Sequence, residues 1–277
     1  MAETPLTLMA VHAHPDDEAS STGGILARYS AEGVRTVLVT CTNGELGDGP
    51  GGVKPEDAAH DEAQVVALRR GELAESARVL GVTHLEMLGF HDSGMEGWDA
   101  NNAPGAFAQI PVKQAALPLV ALIERYQPQV VVTYDDFGFY GHPDHIQAHH
   151  ITVAALDAAK SHARLYFPTV RRSRLPLFRQ AMIDMGMEPP DFDDERFGSP
   201  DEQIAASVDC RAYAGQKRAA LEAHASQSDN LFFLQIPREM FGEIFGTEEF
   251  VRARPAYDGS DPEDDLFATV RQGASAQ

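Results

Sequence analysis

Two short stretches of the sequence concentrate histidine and aspartate side chains. The first, "AVHAHPDDEAS" at residues 10–20, begins at the end of an apolar run that covers residues 6–11. The second, "YDDFGFYGHPDHIQAHH" at residues 134–150, begins at the end of the apolar run 130–134. Imidazole and carboxylate together suit Zn²⁺ or Fe²⁺ better than Mg²⁺ or Ca²⁺, which prefer oxygen ligands alone. The residue types therefore indicate two halves of one metal site.

These stretches contain enough donors for a catalytic metal ion. A catalytic zinc site needs three protein ligands and an open position for water. His14, Asp17 and His145 could supply the ligands, and the neighbouring Asp16 would then stay free. A free carboxylate at that position could remove a proton from the activated water, because the metal lowers the pKa of that water to about 7. We therefore expect hydrolytic chemistry with Asp16 as general base.

The surrounding pattern predicts the elements that would bring the two stretches together. Short apolar runs alternate with helical patterns at residues 24–32, 61–80 and 114–126. This alternation predicts an α/β fold, a Rossmann-like and mostly parallel sheet with helices on both faces. Because parallel strands deliver their carboxyl ends to the same edge of a sheet, both stretches should meet at that edge.

The remaining segments are expected to shape the site. The loops at residues 42–60 and 90–112 are rich in Gly, Pro and Asn and too long to be simple connectors. In the last third, "IAASVD" predicts a strand and residues 213–225 predict a helix, and we expect this part to wall the active-site cleft. Before them lies the acidic stretch "PPDFDDERFGSPDE".

We expect one domain over residues 1–277. Its Rossmann-like core would cover residues 1–168, and residues 169–277 would pack on that core. The acidic tail from about residue 258, with the sequence "GSDPEDD", is expected to be solvated.

Composition excludes several classes of partner. With 42 acidic against 22 basic residues, the net charge is −20, which repels nucleic acid and anionic lipid surfaces. The sequence shows neither a secretory leader nor a long apolar span, so we expect a cytoplasmic protein without membrane insertion. The sequence leaves open whether the protein forms a homo-oligomer.

The sequence also argues against two kinds of cofactor site. Cys41 and Cys210 form no thiolate metal motif, and the absence of G-x-G-x-x-G argues against a dinucleotide site.

The motifs resemble a known family. "AHPDDE" with the downstream "GHPDH" is similar to the PIG-L/LmbE-like family of zinc-dependent N-deacetylases. "TCTNGELGD", "LRRGEL", "DSGM", "YGHPDH" and "AHASQ" resemble the branch that deacetylates the glucosaminyl-inositol precursor of mycothiol or cleaves mycothiol S-conjugates. The resemblance spans residues 6 to about 252. It implies a Rossmann-like fold and hydrolysis of an N-acyl group on a glucosamine unit of a small conjugate.

The resemblance also implies residue roles. It gives the same three zinc ligands and the same general base as the ligand chemistry. His142 would protonate the leaving amine or stabilise the oxyanion, Asp144 would orient a neighbouring imidazole, and Tyr140 would help to polarise the carbonyl. Three further residues match positions that hold substrate hydroxyls or lie in a comparable loop: Arg69, Asp92 and Glu45. Relatives usually carry Asn-Gly-Gly where this chain has residues 136–139, "DFGF", so two phenylalanines are expected to narrow or cover the pocket.

Other interpretations of these residues stay open. The leading function is N-deacetylation, with mycothiol S-conjugate amidase as the alternative. A glycosyltransferase would use Asp135 and Asp136 at a metal and nucleotide-sugar site, and a non-catalytic metal-binding module would not need a base. Arg69 could form an exposed ion pair with Glu72, and Asp92 could cap a turn. His224, in "AHASQ", could be a helix-end contact or a site residue.

Overall fold

A single sheet organises the protein. The computed structural model describes residues 5–188, 196–260 and 262–275. Its strands are β1 (Thr7–His12), β2 (Arg35–Thr42), β3 (His84–Phe90), β4 (Val130–Val132), β5 (Arg164–Thr169), β6 (Ala206–Asp209) and β7 (Thr247–Arg254). They lie in the order β3-β2-β1-β4-β5-β7-β6. Strands β1 to β5 pair in parallel, whereas β7 is antiparallel to β5 and β6, so the predicted, mostly parallel α/β sheet is confirmed.

Helices connect and cover these strands. The α-helices are α1 (Asp17–Ser21), α2 (Gly23–Ala31), α3 (Glu62–Val79), α4 (Val112–Ala115), α5 (Leu117–Tyr126), α6 (Gly138–Gly141), α7 (Pro143–Ala158), α8 (Leu175–Asp184), α9 (Ala214–Ala223), α10 (Leu231–Leu234), α11 (Arg238–Phe245) and α12 (Ala268–Ser275). In the described part of the chain, no helix combines the length and apolarity needed to cross a membrane.

The burial of β1 explains why its sequence is an unbroken apolar run. Leu8 and Ala10 pack into one core with residues of α2, α3 and α9. Met9 and Val11 point to the other face, where they join a second core with residues of α5 and α7. A strand covered on both faces has no solvent-facing side chains, so its pattern does not alternate.

Two helices end just before a glycine of the sequence, whereas a third helical pattern is divided in the structure. Gly33 and Gly81 adopt φ of 79° and 71° just after α2 and α3, where a left-handed residue ends a helix. The pattern at 114–126 was expected to form one helix, but the structure divides it between α4 and α5. Pro118 lies in the first turn of α5, and proline has no N–H to continue a preceding helix.

The last third of the chain does more than pack on the sheet. It contributes β6 and β7, which extend the sheet beyond β5. The predicted strand in "IAASVD" is β6, and the predicted helix at 213–225 is α9.

The expectation that the acidic tail is solvated is wrong for part of it. The Glu263 carboxylate accepts hydrogen bonds from Arg164 at 2.8 Å and from Arg252 at 3.1 Å, and Asp265 accepts one from the Tyr29 hydroxyl at 2.9 Å. Cations and hydroxyls of the sheet and helix surface therefore hold these carboxylates. Residues 189–195 of the earlier acidic stretch lie outside the described residues.

Candidate metal and catalytic site

The site lies where the order of strands reverses. β1 lies between β2 and β4, so the chain connections leave β1 and β4 in opposite directions. Ligands bind in the crevice beyond the carboxyl ends of the strands at such a switch point. The two turns that meet here, at residues 13–17 after β1 and 133–142 after β4, carry the two histidine and aspartate stretches.

The structure brings the three predicted metal ligands together. Asp17 places one carboxylate oxygen, Oδ2, 3.4 Å from His14 Nδ1 and the other, Oδ1, 3.4 Å from His145 Nε2. Both imidazoles are buried. One carboxylate thus contacts both imidazoles, through a different oxygen for each.

The opposite nitrogen of each imidazole is held in place. His14 Nε2 lies 3.2 Å from Asp144 Oδ2, and His145 Nδ1 lies 3.1 Å from the Gly138 carbonyl oxygen. Such partners fix the tautomer and orientation of metal-binding histidines. Among the described residues, no group makes a hydrogen bond to the buried Nε2 of His145. A buried nitrogen in this state is costly unless a cation binds its lone pair, so the donor set fits a metal ion.

His142 is also close to this centre. His14, His142 and His145 place ligand nitrogens within 4.8 Å of one another, as do the ligand atoms of His14, Asp92 and Asp144. His142 Nδ1 accepts a hydrogen bond from the Asp144 backbone N–H at 3.1 Å, which places the ring proton on Nε2. Burial and the nearby His14 and His145 lower the pKa of His142 to about 2, so this ring is neutral.

The two adjacent aspartates have different surroundings. Burial raises the pKa of Asp16 to about 6, although Arg69, with Nη2 only 3.1 Å from Asp16 Oδ2, acts in the opposite direction. Burial acts on Asp17 as well, but His145 and His14 outweigh it and hold the pKa of Asp17 well below its usual range. Asp17 is therefore suited to bind a cation, and Asp16 is suited to exchange a proton near neutral pH.

The predicted substrate contacts are buried and tie the site loops together. Arg69 donates to the Gly44 carbonyl at 3.0 Å, and Asp92 donates its N–H to Glu45 Oε2 at 3.0 Å. The prediction of an exposed ion pair between Arg69 and Glu72 is wrong. Arg69 is buried, and it donates a hydrogen bond to the Pro15 carbonyl in the turn after β1.

Asp92 also caps a turn, as one interpretation expected. Its Oδ1 accepts the Gly94 N–H at 2.8 Å and lies 3.7 Å from His14 Nε2. A role for Asp92, Arg69 or Glu45 in binding sugar hydroxyls stays a prediction.

The departure at residues 136–139 forms part of the rim. Phe139 has a φ of 68° and packs edge-on against Phe197 with ring centroids 5.1 Å apart. The Arg196 guanidinium lies 4.0 Å from the centre of the Phe137 ring. Tyr140 is 46% exposed, and its ring centroid lies 5.0 Å from that of His145. Phe137 and Phe139 therefore connect this segment at the edge of the site to the last third of the chain. Tyr140 is exposed beside His145.

Sequence reasoning missed Tyr134 as part of the site. Its ring stacks on His145 with centroids 4.1 Å apart and an interplanar angle of 15°. Its buried hydroxyl accepts the Ala13 N–H at 3.0 Å and so connects the two turns. The available signal was a tyrosine that ends a buried strand, since a buried tyrosine hydroxyl requires a polar partner.

Fold and site together define an α/β protein with a histidine and carboxylate cluster that fits a metal ion at the switch point of its sheet. Residues 9–156 match the PIG-L family, described as GlcNAc-PI de-N-acetylase. The chain belongs to this family, which confirms the resemblance seen in its motifs.

Individual relatives support this assignment. A 1D-myo-inositol 2-acetamido-2-deoxy-alpha-D-glucopyranoside deacetylase from Acidothermus cellulolyticus is 43% identical, and the alignment covers 95% of each chain. A mycothiol S-conjugate amidase from Streptomyces coelicolor is 37% identical over 97% of this chain and 99% of the relative. A solved N,N'-diacetylchitobiose deacetylase from Pyrococcus horikoshii has a TM-score of 0.57 at 22% identity, covering 89% of this chain and 83% of that chain. That structure supports the fold, and the two relatives establish the family.

Proposed function

We propose that this protein is a metal-dependent N-deacetylase that removes an acetyl group from the glucosamine unit of a small conjugate with inositol. The observation that carries the proposal is the Asp17 carboxylate between His14 Nδ1 and His145 Nε2, with Asp16 beside it. The similarity to a deacetylase of this substrate over 95% of both chains supports the choice of substrate. The single sheet that includes β1 and β7 supports treating residues 1–277 as one domain.

The proposed ligands are His14, Asp17 and His145, and the proposed ion is Zn²⁺, with Fe²⁺ as the other candidate. When bound, the ion supplies Lewis acidity that polarises the amide carbonyl and acidifies a water molecule. Asp144 contributes by holding the opposite nitrogen of His14 at 3.2 Å. This contact keeps His14 Nδ1 available on the side of Asp17.

Asp16 is the proposed proton carrier. A carboxyl group with a pKa of about 6 is ionised at neutral pH, so Asp16 accepts a proton as water attacks the carbonyl carbon. It then returns this proton to the amine nitrogen as the C–N bond breaks. The products are acetate and a free glucosamine amine, so the atoms of one water molecule are divided between them.

His142 is proposed to stabilise the oxyanion rather than to protonate the amine. Its Nδ1 accepts the Asp144 N–H, so Nε2 carries the proton and can donate a hydrogen bond. Because Nδ1 already accepts that N–H, the ring has no second proton to give to the amine. Tyr140, which faces the opening, is proposed to donate to the same oxygen.

The substrate's sugar hydroxyls are proposed to meet Asp92, Arg69 and Glu45. Asp92 has the strongest structural support because its Oδ1 lies 3.7 Å from His14 Nε2, at the border of the centre. Arg69 and Glu45 would act mainly through the loops they hold together.

Amide cleavage in a mycothiol S-conjugate is the second candidate. Like N-deacetylation, this reaction is the hydrolysis of an amide. The loop after Asp92 exposes Met95 (43%) and Trp98 (39%), and these apolar side chains suit a larger, less polar substrate. The relative from Streptomyces coelicolor is named for this activity.

The test compares three substrates with the metal-loaded protein: the N-acetylglucosaminyl inositol, free N-acetylglucosamine and a mycothiol S-conjugate. Released acetate and new primary amine are measured together. We expect equal amounts of acetate and amine and the highest kcat/KM on the inositol conjugate. Preference for the S-conjugate would move the assignment to the amidase. Failure to cleave any of the three, with metal bound, would reject the proposed hydrolysis. Transfer of a sugar from a nucleotide sugar would instead support the glycosyltransferase interpretation.

A further inference from the structure

A buried polar cluster lies directly behind the turn that carries Asp16. It consists of Glu18, Ser76 and His224, and all three side chains are fully buried. Glu18 Oε1 accepts hydrogen bonds from His224 Nε2 at 2.7 Å and from the Ser76 hydroxyl. A buried carboxylate is costly unless its partners compensate, so this cluster needs an explanation.

The second oxygen of Glu18 connects the cluster to the proposed base. Glu18 Oε2 accepts the backbone N–H of Asp16 at 3.0 Å, while the Asp16 carbonyl accepts the Ala19 N–H at 3.0 Å. The peptide groups on both sides of the Asp16 α-carbon are therefore held.

The backbone of Asp16 requires such support. Its φ is 126° and its ψ is −27°, a conformation that residues with a side chain rarely adopt. A strained residue persists only where its surroundings hold it, and strain of this kind is concentrated at functional sites. In this conformation Asp17 meets His14 and His145, whereas Asp16 meets Arg69.

We infer that His224 is a positioning residue: through Glu18, and together with Ser76, it holds Asp16 in the backbone conformation that directs its carboxylate to the reacting water. This inference rests on the proposed function and deepens it. His224 ends α9, so a residue of the last third of the chain reaches the first turn of the site. Both interpretations of His224 from the sequence are thereby combined, since a helix-end residue serves the site.

The same helix offers a matched control. Lys217 of α9 donates to Glu248 Oε1 at 2.7 Å, and both side chains are buried. Glu248 accepts the N–H groups of Gly24 and Ile25 at the start of α2, not those of the turn that carries Asp16. Lys217→Met therefore breaks a comparable buried pair that serves a different helix.

The experiment measures kcat, KM, bound metal and Tm for His224→Leu, His224→Gln and Lys217→Met. His224→Leu is expected to lower kcat about 10- to 100-fold, the effect of a base misplaced by roughly 1 Å, with KM and metal content near wild type. His224→Gln retains an N–H donor and should recover much of the loss. Lys217→Met should lower Tm and leave kcat unchanged. An equal loss of kcat in Lys217→Met and His224→Leu would overturn the inference, because both would then act through stability.

A double-mutant cycle with Asp16→Asn decides whether the effect passes through Asp16. If it does, adding His224→Leu to Asp16→Asn causes no further loss of kcat. The same fold loss in both backgrounds would overturn the inference while leaving the proposed function intact. If Asp16→Asn alone keeps full activity, the proposed base is wrong. Should His224→Leu fail to fold, Ser76→Ala removes one donor from Glu18 and is measured in the same cycle. Unchanged kcat in that variant would also count against the inference.

Discussion

The tripeptide His-Pro-Asp occurs twice in this site and folds in two different ways. In the first copy, residues 14–16, the aspartate has a φ of 126° and precedes the short helix α1. In the second, residues 142–144, Pro143 is the first residue of the long helix α7, and Asp144 is helical. The first histidine directs Nδ1 to Asp17, whereas the second uses Nδ1 to accept the N–H of Asp144 and cap its own helix.

This difference shows that a motif does not fix the role of its residues. In the first copy, the strained aspartate is the proposed base, and the residue after it, Asp17, is a proposed metal ligand. In the second copy, the aspartate is recruited to hold His14, and the residue after it, His145, faces Asp17. The backbone conformation of each copy, which distant contacts hold, therefore determines which partner each of its residues faces.

The largest expected effect comes from the residue that follows the first copy. Asp17→Asn replaces a charged candidate ligand with a neutral amide, so metal affinity should fall by more than the roughly 10- to 100-fold typical of outer partners. Activity should be partly restored by excess metal. Metal content after dialysis and acetate release against added Zn²⁺ measure this, and a variant that retains its metal would remove Asp17 from the ligand set.

The first aspartate is expected to behave differently. Asp16→Asn should keep its metal but lose about 10²- to 10⁴-fold in kcat, the range for removal of a positioned general base. Metal analysis and kcat on one sample decide between the two adjacent residues. If Asp16→Asn loses metal while Asp17→Asn keeps it, the two roles are reversed.

The aspartate of the second copy should have a smaller effect than either. Asp144→Asn retains the shape of the side chain but removes the charge beside His14 Nε2, so metal affinity should fall about 10- to 100-fold. A competition titration with a chelator measures the change. If Asp144→Asn loses as much kcat as Asp16→Asn while its metal is fully bound, the aspartates of the two copies have equivalent roles. The difference proposed between them would then be wrong.

The smallest expected effect is on Tm and comes from the pair of His224 and Glu18, which holds the aspartate of the first copy. Burial disfavours the charged form of His224, but Glu18 outweighs it and raises the pKa of His224 above its usual value. Stability from a raised pKa is complete below the unfolded pKa, about 6.5, and is lost as pH rises through the folded pKa. The Tm difference between wild type and His224→Gln should therefore be a few degrees at pH 6 and shrink as pH rises through the raised pKa of His224. Thermal melts across that range measure it, and a difference that grows with pH would contradict the ion pair.

The sequence was sufficient for the parts of the fold that depend on local burial. Runs such as residues 6–11 are apolar because both faces of the strand are covered, and Gly33 and Gly81 end helices because they adopt positive φ. The meeting of the two stretches followed from the geometry of parallel sheets alone.

Other parts depend on contacts that no local pattern encodes. His224 and Glu18 are 206 residues apart, and β7 carries charged residues whose partners lie on neighbouring elements. The positive φ of Asp16 could not be predicted, because in a sequence it is glycine that indicates such a conformation. The sequence therefore predicts which residues gather at the site more readily than what holds them there.

The distance along the chain between His14 and His145 has a consequence for how the protein is made. Synthesis at about 5 to 20 residues per second leaves roughly 6 to 26 seconds during which a nascent chain has the first two candidate ligands, His14 and Asp17, without the third. Because the third candidate ligand lies on α7, the complete proposed ligand set forms only after residue 145 has emerged and β4 has paired with β1.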